Sequence, residues 1–165
     1  IEHIDPDEFK ELGVKPVAEK VLVIVGGNRG EAYRYAVSYA GASGLAQFIA
    51  KTYKFIRREY SDAKLKADFI AGMRDHGNAI MAAYCLADWS VGKLPLDVAH
   101  KMAWKTGEED LGAFIAASYN GGESRAVAAY LKDPKNWEKP GHGLAGQTVT
   151  YVREFRKVYR YLLSN

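Results

Sequence analysis

Two runs of residues carry side chains that could hold a polar ligand. The first, Ser38-Tyr39-Ala40-Gly41-Ala42-Ser43-Gly44-Leu45-Ala46-Gln47-Phe48, packs small residues into a turn and places one amide, Gln47, near its end. The second, Ala117-Ser118-Tyr119-Asn120-Gly121-Gly122, sets a phenol and an amide at the end of an apolar stretch. Glycine-rich turns let a ligand approach the backbone closely, and amide and phenol groups can hold hydroxyl and acetamido groups. The carboxylate nearest the first run is Glu31, seven residues before Ser38, while Glu19 lies too early in its helix to replace it. Tyr33, Tyr35 and Tyr39 crowd the same segment, and aromatic rings stack well on sugar faces.

The elements that must position these residues read as helices throughout, with no convincing period-two alternation. Asp5-Pro6 opens a first helix that Gly13 ends. Pro16 opens a second, whose Val17, Val21, Leu22, Ile24 and Val25 are apolar all round. That pattern predicts the central buried helix, stopped by Gly26-Gly27-Asn28. After a loop to Ser43, Leu45, Phe48, Ile49, Tyr53 and Ile56 form a helical stripe, and Asp62 to Met73 a shorter amphipathic piece. Asn78 to Trp89 reads as a second core helix, with Ile80 to Leu86 at the centre of the domain. Leu96 to Trp104, a helix from Glu108 to Tyr119, and Ser124 to Leu131 follow. The irregular loop Asp133 to Gly146 then leads into a last helix, Thr148 to Leu163. Glu108-Glu109-Asp110 places negative charge where a helix dipole favours it. The expectation is an all-α chain forming a single domain over residues 1–165.

Bulk properties narrow the function classes. Of the 165 residues, 48% are hydrophobic and 26% charged, an ordinary globular balance. No apolar run approaches the roughly 20 residues that span a bilayer, so no transmembrane segment is expected. Cys85, the single cysteine, excludes an internal disulfide and reads as a buried apolar thiol. His3, His76, His100 and His142 show no metal-ligand spacing, and Gly26-Gly27-Asn28-Arg29-Gly30 lacks the Lys-Ser/Thr ending of a phosphate loop. No metal and no cofactor are expected. Net charge is +3, and Arg153, Arg156, Lys157 and Arg160 cluster near the C-terminus, either as a solvated helix face or as an attraction for an anionic polymer. A helical nucleic-acid-binding domain using that cluster would explain neither glycine motif, so nucleic acid is not an expected partner.

In order and separation, four blocks of the chain resemble the lysozyme-like soluble lytic transglycosylases, relatives of goose-type lysozyme that cut peptidoglycan. Ser38 to Gln47 matches the family's Ser, Gly-Ala, Gly-Leu and Gln pattern, and Thr52 stands at its usual Thr, with Ala50 in place of its Pro. Asp75, Asn78 and Ile80, with Ala82 and Leu86 beyond, resemble its next helix. Ala117 to Gly122 resembles its Ala-x-Tyr-Asn segment, and Gln147-Thr148 with Tyr151-Val152 its Glu-Thr-x-x-Tyr-Val block, Gln replacing Glu. The resemblance implies a lysozyme-like fold, peptidoglycan glycan strands as partner, and a place in the cell envelope (periplasmic or secreted) or in a phage. It also implies sugar contacts from Ser38, Gln47, Tyr119, Asn120 and Tyr151.

In that family one glutamate protonates the glycosidic oxygen between muramic acid and glucosamine. It then takes the proton of the muramoyl 6-hydroxyl as that oxygen closes on C1, leaving a 1,6-anhydro sugar. An acid that becomes a base needs a pKa near working pH, which an apolar enclosure supplies. The family's glutamate stands nine residues before the Ser of the turn, where this chain has Arg29, and arginine cannot give up a proton. Either Glu31 is the acid in a shorter loop, or the acid's place is the helix end at Gly26-Gly27 and the chain as it stands is inactive. The expectations are therefore a lytic transglycosylase with Glu31 as its candidate acid, a catalytically silent peptidoglycan-binding module on the same fold, or a hydrolytic muramidase. The last would need a second carboxylate opposite the first, and none is marked.

Overall fold

The computed structural model describes residues 2–102 and 107–164. Nine α-helices and two short 3-10 turns make up the regular structure among them, and strand pairing is confined to isolated bridges in one loop, so the fold class is all-α. The helices are α1 (Pro6–Leu12), α2 (Val14–Asn28), α3 (Ala50–Glu59), α4 (Phe69–Arg74), α5 (His76–Val91), α6 (Leu96–Lys101), α7 (Glu108–Gly121), α8 (Glu123–Lys132) and α9 (Gly146–Leu163). None of them is long and apolar enough to cross a membrane. The chain divides into two compact units, Glu2–Leu86 and the part from Ala87 onward, with the boundary inside α5.

In the first unit, the Asp5 carboxylate caps α1 by accepting from the amides of Asp7 and Glu8, and Pro6 fits the first turn. The second helix departs from its expected place. Only Val17 and Ala18 are buried, while Leu22 and Val23 are 50% and 72% exposed. It packs on α1, whose seven residues cover about 10 Å against about 22 Å for the fifteen of α2. The apolar second half outruns its partner. Gly26 and Gly27 do not stop it either, since the helix runs through both to Asn28.

The buried centre of this unit is instead built around α3. Tyr53, Ile56 and Met73 are fully enclosed, with Phe48, Ala79 and Ala82 also buried. Phe48 meets the Tyr53 ring edge-on, and Phe69 lies against it from α4. Leu45 and Phe48 precede α3 rather than belonging to it, and α4 begins only at Phe69. On α5 the small side chains Ala79, Ala82, Cys85 and Ser90 are buried, whereas Ile80, Met81 and Tyr84 are exposed.

The second unit holds a contiguous core of Leu94, Met102, Phe114, Tyr130, Trp137, Leu144 and Val152 with the alanines of α7 and α8. Phe114, Tyr130 and Trp137 meet with ring centres 5.8–6.2 Å apart, the spacing that tilted and edge-on aromatic pairs favour. Gly112 and Gly121 let α9 approach α7, because a Cβ at either would fall within 3 Å of Phe155 or Thr148. Trp104, the expected end of α6, lies outside the described residues. The terminal basic cluster is partly consumed by internal pairing. Arg156, with only 15% of its side chain exposed, bonds Glu109 at 2.9 Å, Asp110 at 2.7 Å and Glu138 at 2.8 Å, and Arg160 bonds Glu109 at 2.8 Å. The acidic first turn of α7 thus has a partner beyond its own dipole.

Glu154 is the buried carboxylate of α9. Burial pushes its pKa above the usual glutamate range, against the weaker opposing charges of Arg153 and Lys157. The fold therefore favours the protonated form. That stabilisation is fully present below the ordinary glutamate pKa and is lost as pH rises through the raised value. Glu154→Gln keeps a neutral group of the same shape at every pH. It should melt above the parent chain near pH 7, with the gap closing toward about pH 3.5. An equal gap at both pH values in thermal melts would show that the carboxyl is solvated.

Candidate functional site

The glycine-rich run folds as a compact loop held by its own backbone. Ser38 N–H donates to the Ala42 carbonyl at 2.8 Å, Gly44 N–H to Ala36 at 2.9 Å, and Ser43 N–H to Phe48 at 2.9 Å. The Ser38 hydroxyl accepts from the Ala42 amide at 3.0 Å. Gln47 sits at φ +50, a left-handed conformation uncommon for a side chain of its size. Its amide donates to the Gly44 carbonyl at 2.8 Å, satisfying the turn from within. Gly44 has φ +72, and a Cβ there would lie 2.2 Å from the Met73 carbonyl oxygen. The close approach this glycine permits is thus made by α4 of the same chain. His3 closes the other side, with Nε2 bonded to the Leu45 carbonyl at 2.8 Å and its ring stacked on Tyr33 at 3.8 Å. Burial there lowers the pKa of His3 despite the carbonyl contact.

Three large side chains of this loop are exposed. Tyr35 ends one turn and Tyr39 enters the next, with an isolated bridge from Val37 to Ser43 between them. Tyr35 and Val37 are 64% and 67% exposed, and Tyr39 is fully so. Two phenol rings flanking an isopropyl group make an apolar, aromatic surface on an otherwise hydrogen-bonded loop.

Glu31 stands apart from any apolar enclosure. It ends the 3-10 turn Arg29–Glu31, its side chain is 60% exposed, and it pairs with the Arg34 guanidinium at 2.5 Å. Gly26, Gly27 and Arg29 are exposed as well, and a Cβ at either glycine would meet nothing within 4 Å.

A residue outside the predicted site set organises the neighbouring elements. Asn78 Nδ2 donates to the Tyr53 hydroxyl at 2.9 Å, that hydroxyl donates to the Lys66 carbonyl at 2.8 Å, and the Lys66 amide donates back to Asn78 Oδ1 at 2.8 Å. Asn78 Nδ2 also reaches the Gly72 carbonyl at 3.0 Å. The ring closes on itself and joins α3, the segment before α4, α4 and α5. A Cβ at Gly72 would lie 2.4 Å from the Tyr53 hydroxyl, so glycine is required there. Asp75 caps the Asn78 amide at 3.0 Å and pairs with Lys66 Nζ at 2.7 Å. The Lys66 bond, then the Asn78 amide, hold its carboxyl below the usual aspartate range. The sequence signal was the nearness of Asp75 to Asn78, neither of which was marked as a site residue.

In the second unit the structure joins two of the sequence blocks. Thr148 Oγ1, buried at the start of α9, donates to Asn120 Oδ1 at 3.0 Å near the end of α7. Asn120 therefore ties one helix to the other. Tyr119 and Tyr151 are half-buried, and the Ser118 hydroxyl is buried with no hydrogen-bond partner among the described residues. Glu31, Ser38 and Gln47 belong to the first unit, and Tyr119, Asn120 and Tyr151 to the second. No group of His, Cys, Asp and Glu suited to a metal ion occurs among the described residues.

No family model matches this chain, and no curated protein or solved structure matches it.

The Asn78 ring predicts a specific cost. Asn78→Ala strands the Lys66 amide and the Gly72 carbonyl together and removes the donor to Tyr53. The expected loss is roughly 1–3 kcal/mol in denaturant unfolding. A loss of a few tenths, typical of an exposed polar site, would contradict the ring.

Proposed function

We propose that the chain is a peptidoglycan-binding domain of the lytic-transglycosylase type, one that holds glycan strands and, as its sequence stands, does not cut them. The observation that carries the reading is the exposure of Tyr35, Val37 and Tyr39 on a loop whose polar groups bond one another. Pyranose rings present flat C–H faces, and phenol rings fixed on a stiff loop meet such faces at little entropic cost. The sequence resemblance of that loop to the transglycosylase turn supports the same substrate class. Its proposed setting is a cell envelope or a phage particle.

Silence toward the bond follows from the carboxylate. Anhydro-sugar formation needs an acid that keeps its proton near neutral pH and later takes another, a property that comes from desolvation. Glu31 is exposed and ion-paired with Arg34, and the other positions considered for the acid hold glycine or arginine. Gln47 and Ser38 are spent on turn bonds, so in this reading they shape the platform and the tyrosines make the contact.

Incubation with purified sacculi, followed by sedimentation and mass analysis of the supernatant, tests both halves. The chain should co-sediment and release no anhydro-muropeptides. Tyr39→Ala, which removes an exposed ring and no internal bond, should weaken retention severalfold to about tenfold. Anhydro ends that disappear in Glu31→Gln would establish the active transglycosylase instead. Reducing ends would indicate a muramidase. Absence of retention would overturn the glycan reading.

A further inference from the structure

A second feature of the first unit is a cavity of about 580 Å³ lined by Gly30, Arg34, Lys66, Ala71, Arg74, Asp75, His76 and Gly77. Its size falls in the range of small-molecule sites. Three permanent cations line it, of which Lys66 pairs with Asp75 and Arg34 with Glu31. The Arg34 and Arg74 guanidiniums both lie within 6 Å of the Tyr35 ring centre, at 5.6 and 5.0 Å. Two like charges gathered on one ring repel each other, and Arg74 makes no ion pair among the described residues. Arg34 Nε and His76 Nε2 are buried without a hydrogen-bond partner among the described residues. An arginine Nε–H is always a donor, and leaving it buried and unmatched is costly. Asp75 caps the Asn78 amide at the start of α5, so any anion here is held by side chains rather than by a helix end.

We propose that this cavity is an oxyanion site for a phosphate group, carried on a small polar molecule. A tetrahedral dianion supplies the counter-charge that Arg74 lacks and offers several acceptors to the guanidinium forks, which suit phosphate geometry. The cavity is larger than a bare phosphate needs, leaving room for a sugar-sized body beside Ala71 and Gly77. The site adjoins the exposed tyrosines through the Tyr35 ring, on which Arg34 and Arg74 lie, but it takes a different ligand chemistry and its test does not depend on glycan binding.

Calorimetric titration of the whole chain at low ionic strength tests the assignment, with inorganic phosphate, glucose 1-phosphate and N-acetylmuramic acid as probes. Both phosphates should bind at one site per chain, and N-acetylmuramic acid, whose anion is a carboxylate, at least tenfold more weakly. Arg74→Gln should weaken phosphate binding tenfold or more. Ala71→Trp, which fills the cavity and keeps every charge, should do the same, and circular dichroism melts show whether each variant is folded. Tighter binding of glucose 1-phosphate than of inorganic phosphate assigns the site to a phosphorylated small molecule; equal binding assigns it to the ion itself, and both sustain the oxyanion claim. Phosphate affinity unchanged in the folded variants, no heat with either phosphate, or preference for N-acetylmuramic acid would overturn it.

Discussion

The first unit depends on a closed ring of three hydrogen bonds, running from the Asn78 amide through the Tyr53 hydroxyl and the Lys66 carbonyl and back to Asn78 through the Lys66 amide. The Asn78 amide and the Tyr53 hydroxyl both give and receive, so their bonds polarise one another. The ring fixes the carbonyl of Gly72 and the backbone of Lys66, and with them the course of α4. Everything placed by α4 follows. Met73 presents the carbonyl against which Gly44 closes, Arg74 reaches the Tyr35 ring, and Lys66 meets Asp75 on the wall of the basic cavity. The exposed tyrosines and the cavity thus share one support.

The second unit is organised by a different balance. Its aromatic core sets α7 against α8, while Arg156 ties α9 to the acidic first turn of α7 and to Glu138. Burial disfavours the guanidinium charge there, but bonds to Glu109, Glu138 and Asp110 outweigh it and hold the pKa above the usual arginine value. A buried ion cluster costs more to break than it gains over an apolar replacement. Its effect is directional, fixing the register of α9 so that Thr148 meets Asn120.

Helix content and most helix ends were legible in the sequence because caps and periodicity are local. Asp5-Pro6, the acidic start of α7 and the length of α9 all act within a turn or two of themselves. The error over α2 was of another kind. Apolarity on every face shows that a helix can be buried, not that partners long enough to bury it exist, and α1 is too short. For the candidate site, the motif marked a compact loop but not the bonding inside it. Gly44 is small because α4 leans on it, and Gln47 points into its own turn. Tyr35 and Tyr39 were visible only as members of a crowded segment, since exposure depends on how the loop turns. The Asn78 ring and the basic cavity were illegible because they join residues from separated parts of the chain whose proximity no spacing reveals.

Glycan recognition by the exposed tyrosines, without an enclosed acid, is the claim on which the functional account stands. Backbone amide NMR of the isotope-labelled chain, titrated with a soluble N-acetylglucosamine tetramer, measures it most directly. The account predicts saturable shifts concentrated at residues 35–41, with no new sugar species over prolonged incubation. Shifts confined to other residues, or no shifts at all, would contradict it.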